Sequence, residues 1–225
     1  MDTPAAPRRP LPLGIQNLRE IREGGHYYVD KTGMAIDLIA SGKHFFLSRP
    51  RRFGKSLLVD TFKELFEGNR ALFEGLAAET RWDWSQRHPI VRISFAGGGL
   101  GSPERLEQRI FEILDENEKR LGVQCQHQSV SGRFSELIQR TRERHGATVV
   151  VLVDEYDKPI LDHLHDRTLA AQMREGVKAL YESLKYVDEH LKFVFLTGVS
   201  KFSKVSLFSG LNQLVDITLD PRWSA

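Results

Sequence analysis

The feature that most constrains the fold is a run of five apolar residues, VVVLV at 149–153, followed by Asp154 and Glu155. Four of the five are β-branched, which is typical of a strand buried on both faces. Such strands belong to parallel sheets that carry helices on both sides. Open sheets of this class bind ligands at the carboxyl ends of their strands, so both carboxylates are expected near a ligand. Because successive side chains of a strand point to opposite sides, one can face a metal ion and the other a water.

A second motif, RPRRFGKS at 49–56, follows an apolar stretch at 44–48. In a phosphate-binding loop (Walker A), a glycine admits the phosphate, a lysine reaches the β- and γ-phosphates, and a hydroxyl ligates Mg²⁺. Here those roles fall to Gly54, Lys55 and Ser56. Apolar residues at helical spacing follow, and the first turn of such a helix adds N–H groups and a positive dipole end. With Asp154 and Glu155 as a Walker B motif, the sequence predicts a nucleoside triphosphate site.

The loop departs from the usual G-x-x-x-x-G-K-[ST] pattern at its first position. Arg49 stands where the first glycine is expected. Either Arg49 adopts the backbone geometry that glycine normally supplies, or the chain enters the loop differently. A chance Gly-Lys-Ser in a basic turn is the alternative, and the buried strand ending in Asp154 and Glu155 argues against it.

Composition sets further bounds. The chain has 225 residues, 25.7 kDa and 40% hydrophobic content, which fits one α/β core. The net charge of +2 gives no general argument for nucleic acid or membrane. Cys125 is the only cysteine, which excludes an intrachain disulfide, does not support a structural zinc site and fits a reducing compartment. Without an apolar run of about 20 residues, the chain is expected to be cytoplasmic. Residues 1–12, rich in proline and arginine, are predicted to be a disordered leader.

The rest of the chain alternates strand and helix patterns. The predicted strands are 44–48, 90–95, 149–153, 192–197 and 214–219, and the longer predicted helices are 54–67, 103–121, a segment ending before Gly146, and 168–190. The alternation of polar and apolar residues in 90–95 favours an edge strand. Strands alternating with helices predict a doubly wound parallel α/β sheet.

The chain resembles the bacterial AAA-ATPase-like family from about residue 12 to its end. The resemblance is carried by YYVDKT at 27–32, FFLSRPRRFGKSLLVDTF at 45–62, LFEGL at 72–76 and VDEYDKPI at 153–160. RPRRFGKS is the most specific of these, because the arginine in place of the first glycine is the family's own departure. The resemblance implies a P-loop NTPase of the additional-strand, catalytic-glutamate class, with strand order 5-1-4-3-2 and ATP with Mg²⁺ as ligands.

The resemblance also implies a domain organisation. Family members usually continue into a helical region and often into a nuclease-like domain of the PD-(D/E)XK type. We therefore expect an AAA-ATPase-like P-loop domain over 13–225, truncated before the helical region. The resemblance further implies that LTGVSKFSKVSLFSGLN at 196–212 follows the strand beside Asp154.

These motifs give each candidate residue a role. Lys55 and Glu155 are the candidate catalytic residues, the first neutralising phosphate charge and the second orienting or deprotonating the attacking water. Ser56 and Asp154 are the candidate Mg²⁺ ligands. The candidate nucleotide-binding residues are Arg51, Arg52, Phe53, Gly54, Lys55, Ser56, Leu57, Thr197 and Ser200. Thr197 and Ser200 are either sensors of the γ-phosphate or hydroxyls that cap a strand.

The arginines of the loop leave alternatives open. Arg49, Arg51 and Arg52 either act on the phosphates or form ion pairs with Asp30, Asp157 or Glu155. A nucleic-acid surface is a third hypothesis, but the sequence lacks the aromatic-interleaved basic groove of single-strand binders. A nucleotide-dependent switch with little turnover is the main alternative to an ATPase. The sequence indicates no protein partner or oligomeric state.

Overall fold

The computed structural model describes residues 9–97, 100–200 and 214–223. The helices are α1 (Leu18–Glu23), α2 (Thr32–Ser41), α3 (Lys55–Phe66), α4 (Ala78–Arg81), α5 (Pro103–Leu121), α6 (Val130–His145), α7 (Lys158–Leu161) and α8 (Arg167–Glu182). The strands are β1 (His44–Ser48), β2 (Ile90–Ser94), β3 (Val149–Asp154), β4 (Leu191–Gly198) and β5 (Val215–Asp216). Single 3₁₀ turns lie at Arg70–Phe73, Ser183–Lys185, Asp188–His190 and Pro221–Trp223.

The five strands form one sheet in the order β2-β3-β4-β1-β5, and every neighbouring pair is parallel. The predicted α/β class and parallel sheet are therefore confirmed. Read from the β5 edge, the order is 5-1-4-3-2, as the family resemblance implies. β2 lies at the opposite edge, as its alternating pattern predicts.

Helices cover both faces of the sheet, and each face has its own core. On one face, α5, α6 and α8 pack against side chains such as Val151 and Val153. On the other face, α2 and α3 pack against Val150 and Leu152. All six residues of β3 are buried, which is the reason for its continuous apolar sequence.

Two predicted elements are shorter than expected. The helix predicted over 168–190 ends at Glu182 and continues as two 3₁₀ turns. Leu184 in the first of these turns and Val187, which precedes the second, stay buried.

The fifth strand, predicted over 214–219, pairs with β1 only at Val215 and Asp216. The carboxylate of Asp216 accepts a hydrogen bond from the Thr218 backbone, and the Thr218 hydroxyl accepts one from the Ser48 backbone. These side-chain contacts replace the ladder and end the strand.

No helix in the described part of the chain is both long and apolar enough to cross a bilayer.

Candidate functional site

The loop at 49–54 begins as a continuation of the sheet. The backbone N–H of Arg49 donates to the carbonyl of Gly198, which extends the pairing of β1 with β4 by one step. Arg49 is not among the described residues with positive φ, whereas Arg52 has a φ of 69° and Gly54 a φ of 74°. The chain therefore enters the loop in a conformation open to any residue, and its left-handed turns come later.

The loop ends at Gly54, the N-cap of α3, so the first N–H groups of this helix face the loop. Packing on the sheet fixes the direction of α3. The ring of Phe62 lies 5.1 Å from that of Phe193 and 4.9 Å from that of Phe195, centroid to centroid. Burying an aromatic side chain of this kind stabilises a fold by about 1.5–3 kcal/mol. These contacts hold the start of α3 at the carboxyl edge of the sheet.

Lys55 is buried at the first position of α3, with 7% of its surface exposed. Its Nζ donates to the carbonyl of Pro50 at 3.0 Å, so the side chain crosses the loop. Burial lowers the pKa of the Lys55 ammonium, and attraction from Asp154, Asp157 and Glu155 opposes that shift. The structure thus brings the lysine of the loop together with the carboxylates at the end of β3, as the sequence predicts.

Asp154 is the last residue of β3 and is 4% exposed, and one of its carboxylate oxygens accepts a hydrogen bond from the Glu155 backbone at 3.0 Å. Glu155 has a φ of 54°, which is rare for a residue with a side chain. Such a conformation costs about 1–3 kcal/mol and is concentrated at functional sites. The turn changes the direction of the chain immediately after the buried carboxylate and leaves Glu155 partly exposed.

Strand alternation places Asp154 and Thr197 on one face of the sheet. Asp154 shares a face with Leu152, and Thr197 shares one with Phe195; both of these apolar residues belong to the core beneath α3. The last paired residues of β3 and β4 are Val153 and Leu196, so Asp154 and Thr197 follow directly on adjacent strands. The Thr197 hydroxyl is buried and has no hydrogen-bond partner among the described residues. A buried unpaired hydroxyl at the site is available to a ligand.

Asp157 is a part of the site that no sequence motif indicates. Its carboxylate accepts hydrogen bonds from the backbone N–H groups of Val199, at 2.9 Å, and Ser200, at 2.6 Å. The Tyr156 hydroxyl donates to the Ser200 carbonyl at 2.8 Å. Asp157 is 1% exposed. These contacts join the turn after β3 to the chain leaving β4, where Ser200 was predicted to act. The remainder of the predicted sensor segment, 201–212, lies outside the described residues.

Gly198 has no space for a side chain. A Cβ there would lie 2.6 Å from Oδ1 of Asp157 and would also overlap the ring of the buried Tyr156. We expect Gly198→Ala to lower the free energy of unfolding by about 1–3 kcal/mol, the usual effect of overpacking. Urea denaturation followed by circular dichroism measures the change. The matched control is Gly101→Ala, where a Cβ would meet no atom within 4 Å. Equal stability of the two variants would contradict the packing described here.

The arginines of the loop form none of the predicted ion pairs. Arg51 and Arg52 are exposed, and neither they nor Arg49 lie within 4.0 Å of a carboxylate among the described residues. Asp30 instead accepts hydrogen bonds from Thr32 and from the backbone of Ala77. One alternative that the sequence left open for these arginines was ion pairing with Asp30, Asp157 or Glu155. The structure shows no such ion pair among the described residues.

A cavity of about 680 Å³, here called the α2–α3 cavity, lies between α2 and α3, and no sequence motif indicates it. Its lining includes Gly54 at one end and Trp223 from the last 3₁₀ turn. Residues 9–12 belong to the predicted leader, yet Leu11 and Pro12 line this cavity, and the Pro10 carbonyl accepts a hydrogen bond from Tyr27. Tyr27 and Trp223 both line the cavity, but no pattern in the sequence indicates that residues so far apart in the chain lie close together.

The described residues contain no cluster of three or more His, Cys, Asp or Glu side chains able to hold a metal ion. A hard divalent ion such as Mg²⁺ is usually held by only one or two carboxylates, with waters and substrate phosphates completing its shell. Ser56 at the start of α3 and the buried Asp154 are oxygen donors of the required kind. The donor set therefore fits Mg²⁺ that arrives with a nucleotide.

Comparisons with known proteins agree with this geometry. A family model described as "Predicted AAA-ATPase" matches residues 12–208. The chain is also 56% identical, over 219 residues, to an uncharacterized protein encoded in the 5′ region of vnfD in Azotobacter chroococcum mcd 1. That alignment covers 97% of this chain and 42% of the relative, so the chain spans about two fifths of the relative's length.

Proposed function

The chain belongs to the AAA-ATPase-like family, and we propose that it binds ATP together with Mg²⁺ and hydrolyses it. The observation that carries the proposal is the position of Lys55. This buried lysine lies at the N-terminus of α3 and is attracted by Asp154 and Glu155 at the end of β3. A phosphate-binding loop and a paired carboxylate motif therefore meet at one edge of the sheet, which is the arrangement that phosphoryl transfer requires.

In this mechanism the loop binds the phosphates. The N–H groups at the start of α3 donate to phosphate oxygens, and Lys55 neutralises part of their charge. Ser56 and Asp154 would hold Mg²⁺, which neutralises charge on the β- and γ-phosphate oxygens when bound. The exposed Arg51 and Arg52 lie in the same loop and add positive charge beside the site.

The second part of the mechanism concerns the attacking water. Glu155 orients this water and accepts its proton, which is the role of a general base. Glu155 is partly exposed and has a left-handed backbone, whereas Asp154 before it is buried. Thr197, whose hydroxyl has no hydrogen-bond partner among the described residues, contributes a hydrogen bond to the γ-phosphate or to the water. The Asp157 carboxylate holds the backbone of Ser200, the other candidate sensor, at the turn after β3.

Replacing Asp154 with asparagine tests the metal role. We expect affinity for ATP in the presence of Mg²⁺ to fall about 10-fold or more, since a charge-assisted contact is worth about 1.5–3 kcal/mol. Affinity measured in EDTA should stay level or rise, because the variant removes a negative charge from the vicinity of the phosphates. Isothermal titration calorimetry with and without Mg²⁺ measures both.

Asp115→Asn is the matched control, because Asp115 lies on α5 and pairs with Arg133 far from the loop. Its ATP affinity should not change in either buffer. An equal loss of affinity in Mg²⁺ and in EDTA for Asp154→Asn would contradict a metal role and indicate general damage to the site.

A further inference from the structure

Five exposed cations lie where the strands of the sheet begin. Arg87 precedes β2, Arg144 lies in the last turn of α6 before β3, and Lys192 is the second residue of β4. Lys119 is in the last turn of α5, and Lys185 ends the 3₁₀ turn that follows α8. Because the strands are parallel, they all begin at the same edge of the sheet, opposite the phosphate-binding loop. These five residues are here called the basic edge.

Side-chain contacts bring the ends of the helices to this edge. Arg120 of α5 donates a hydrogen bond to the carbonyl of Ile90, the first residue of β2. A Cβ at Gly122, directly after α5, would lie 3.0 Å from Nε of Arg144, so the ends of α5 and α6 adjoin. Helix α6 also packs against the 3₁₀ turn Ser183–Lys185. The cations therefore belong to one continuous surface.

The sheet itself presents Lys192 on this surface. The residues on either side of Lys192 pair with Val149 and Val150 of β3, so Lys192 forms a bulge with no partner on that strand. It is exposed, whereas the other seven residues of β4 are buried. Burial lowers the pKa of His88, and the charge of Lys192 acts in the same direction, which places Lys192 near the start of β2. Bulges of this kind re-aim a side chain and are retained features of a fold.

The charges of the basic edge are not neutralised within the protein. None of its five cations forms an ion pair or a hydrogen bond with another described residue. Cations elsewhere on the same helices do form ion pairs, Arg109 with Glu112 and Glu116 on α5 and Arg140 with Glu136 on α6. The absence of partners is therefore specific to the ends of these helices.

The carboxylates near the basic edge do not offset its charge. Glu67, Glu182 and Asp188 each lie within 4.0 Å of a lysine ammonium outside the basic edge. Glu143 and Glu189 are exposed on the same surface. This surface therefore carries an excess of positive charge, although the net charge of the whole chain is only +2. An excess of this kind attracts a polyanion.

An exposed aromatic ring lies among these cations. Tyr186 follows Lys185 directly and is 80% exposed, the largest exposed fraction of any described aromatic side chain. Proteins that bind single-stranded nucleic acid combine cations along the backbone with aromatic rings on which bases stack. A base in a duplex is already stacked and paired, so an exposed ring favours single strands.

We infer that the basic edge, together with Tyr186, binds single-stranded nucleic acid. The cations contact backbone phosphates, and the Tyr186 ring stacks on an unpaired base. The five cations come from separate segments of the chain, so no basic run in the sequence indicates them. The eight residues of β4 separate this surface from the phosphate-binding loop by about 23 Å along the strand. The inference therefore concerns a second site and does not depend on the proposed function.

The first experiment measures the salt dependence of binding to a fluorescent oligodeoxythymidine by anisotropy. Each phosphate contact on a single strand contributes about −0.7 to the slope of log affinity against log salt, so five contacts predict about −3.5. We expect Arg87→Ala combined with Arg144→Ala to flatten this slope by about 1.4 and to weaken binding about 10-fold at low salt. The matched control is Arg105→Ala combined with Arg167→Ala. These exposed arginines lie in the first turns of α5 and α8, away from the basic edge, and the control should bind as the wild type does.

A second variant tests the aromatic ring. Tyr186→Ala should weaken binding of oligodeoxythymidine about 5-fold or more, the usual contribution of one stacked base, and should leave the salt slope unchanged. Tyr27→Ala is the matched control, because Tyr27 is 54% exposed but lines the α2–α3 cavity, away from the basic edge. It should bind oligodeoxythymidine with the wild-type affinity.

The outcomes separate the alternatives. A wild type that does not bind oligodeoxythymidine at low salt, or equal losses in the two double-arginine variants, would overturn the inference. Equally tight binding of polyglutamate would indicate an acidic protein partner instead, and binding to phosphatidylserine vesicles without binding to oligodeoxythymidine would indicate a membrane. Tighter binding of a duplex of the same length would contradict the choice of single strands.

The two sites can also be tested against each other. Lys55→Ala should bind oligodeoxythymidine as the wild type does, and the Arg87→Ala, Arg144→Ala variant should bind MgATP as the wild type does. Loss of oligodeoxythymidine binding in Lys55→Ala would show that the phosphate-binding loop holds the strand and would overturn the assignment to the basic edge. Failure of the wild type to bind MgATP would contradict the proposed function and leave this inference standing.

Discussion

Lys55→Ala is expected to reduce affinity for MgATP by about 10² or more. The lysine lies at the end of the loop, where its ammonium can make at least one charge-assisted hydrogen bond to phosphate and offset its charge. Contacts of this kind are worth about 1.5–3 kcal/mol each, and 1.4 kcal/mol corresponds to a factor of ten. Isothermal titration calorimetry with MgATP measures the loss.

The fold should tolerate this change. Lys55 is buried, and its burial already disfavours the charged form, as the lowered pKa indicates. Its hydrogen bond goes to the Pro50 carbonyl within the loop and does not join α3 to the sheet. The far-ultraviolet circular dichroism spectrum should therefore match that of the wild type.

Lys178→Ala provides the matched control, because Lys178 carries the same charge on α8, where it pairs with Glu175 and Glu182. The control should bind MgATP as the wild type does. If Lys55→Ala bound MgATP with wild-type affinity, the loop would not be a phosphate site and the proposed function would be wrong.

The sheet could be predicted because its signals are local and strong. β1 has the predicted bounds, and β3 differs from its prediction only by including Asp154. Helix α5 begins at Pro103 after its Ser102 cap and ends before Gly122, which has a φ of 69°. Capping residues and apolar spacing act over a few residues, so they can be read from sequence.

Long-range contacts explain what could not be predicted. The length of β5 depends on a hydrogen bond between Thr218 and Ser48, which are 170 residues apart. The α2–α3 cavity joins Tyr27 and Trp223, which no periodic pattern connects. Neither arrangement leaves a signal in any short window of the sequence.

The candidate site shows the same division between local and distant signals. The sequence identifies Lys55, Asp154 and Glu155 as site residues, because the loop motif and the carboxylate motif are each local and phosphoryl transfer needs the two motifs together. The left-handed conformations of Arg52 and Glu155 could not be predicted from the sequence, since neither residue is a glycine. Of the two alternatives that the sequence left open at Arg49, the structure shows a different entry into the loop, because the left-handed backbone lies three residues later, at Arg52. Asp157 was missed because its partners, Val199 and Ser200, lie more than 40 residues away.

Glu155→Gln is expected to retain MgATP binding while hydrolysis falls by about 10²–10⁴, the usual contribution of a general base. Glutamine keeps the length and the hydrogen-bonding shape of glutamate but cannot accept the proton of the attacking water. The backbone at Glu155 has a φ of 54°, and both side chains meet the same steric cost there. The variant therefore tests the role of the carboxylate without altering the turn that positions the side chain.

Single-turnover measurements with the protein in excess over radiolabelled ATP give the rate of the chemical step even when turnover is slow. Glu182→Gln is the matched control, because Glu182 lies at the end of α8, remote from the loop. Its carboxylate is 4.0 Å from the ammonium of Lys178, which is a long separation for an ion pair. Its rate should equal that of the wild type. Equal rates for the wild type and Glu155→Gln would show that Glu155 is not the base, although the loop could still bind ATP.

The same measurement separates an ATPase from a nucleotide-dependent switch. Both use Lys55, Ser56 and Asp154 to bind MgATP, so affinity alone cannot distinguish them. A switch needs no general base, and its Glu155→Gln variant would match a wild type that binds MgATP but does not hydrolyse it. An ATPase needs Glu155 in the reaction, so its wild type hydrolyses the bound ATP in a single turnover and the variant keeps it intact. The strained backbone at Glu155 favours the second result, because a turn of this cost is retained where the position of its side chain matters.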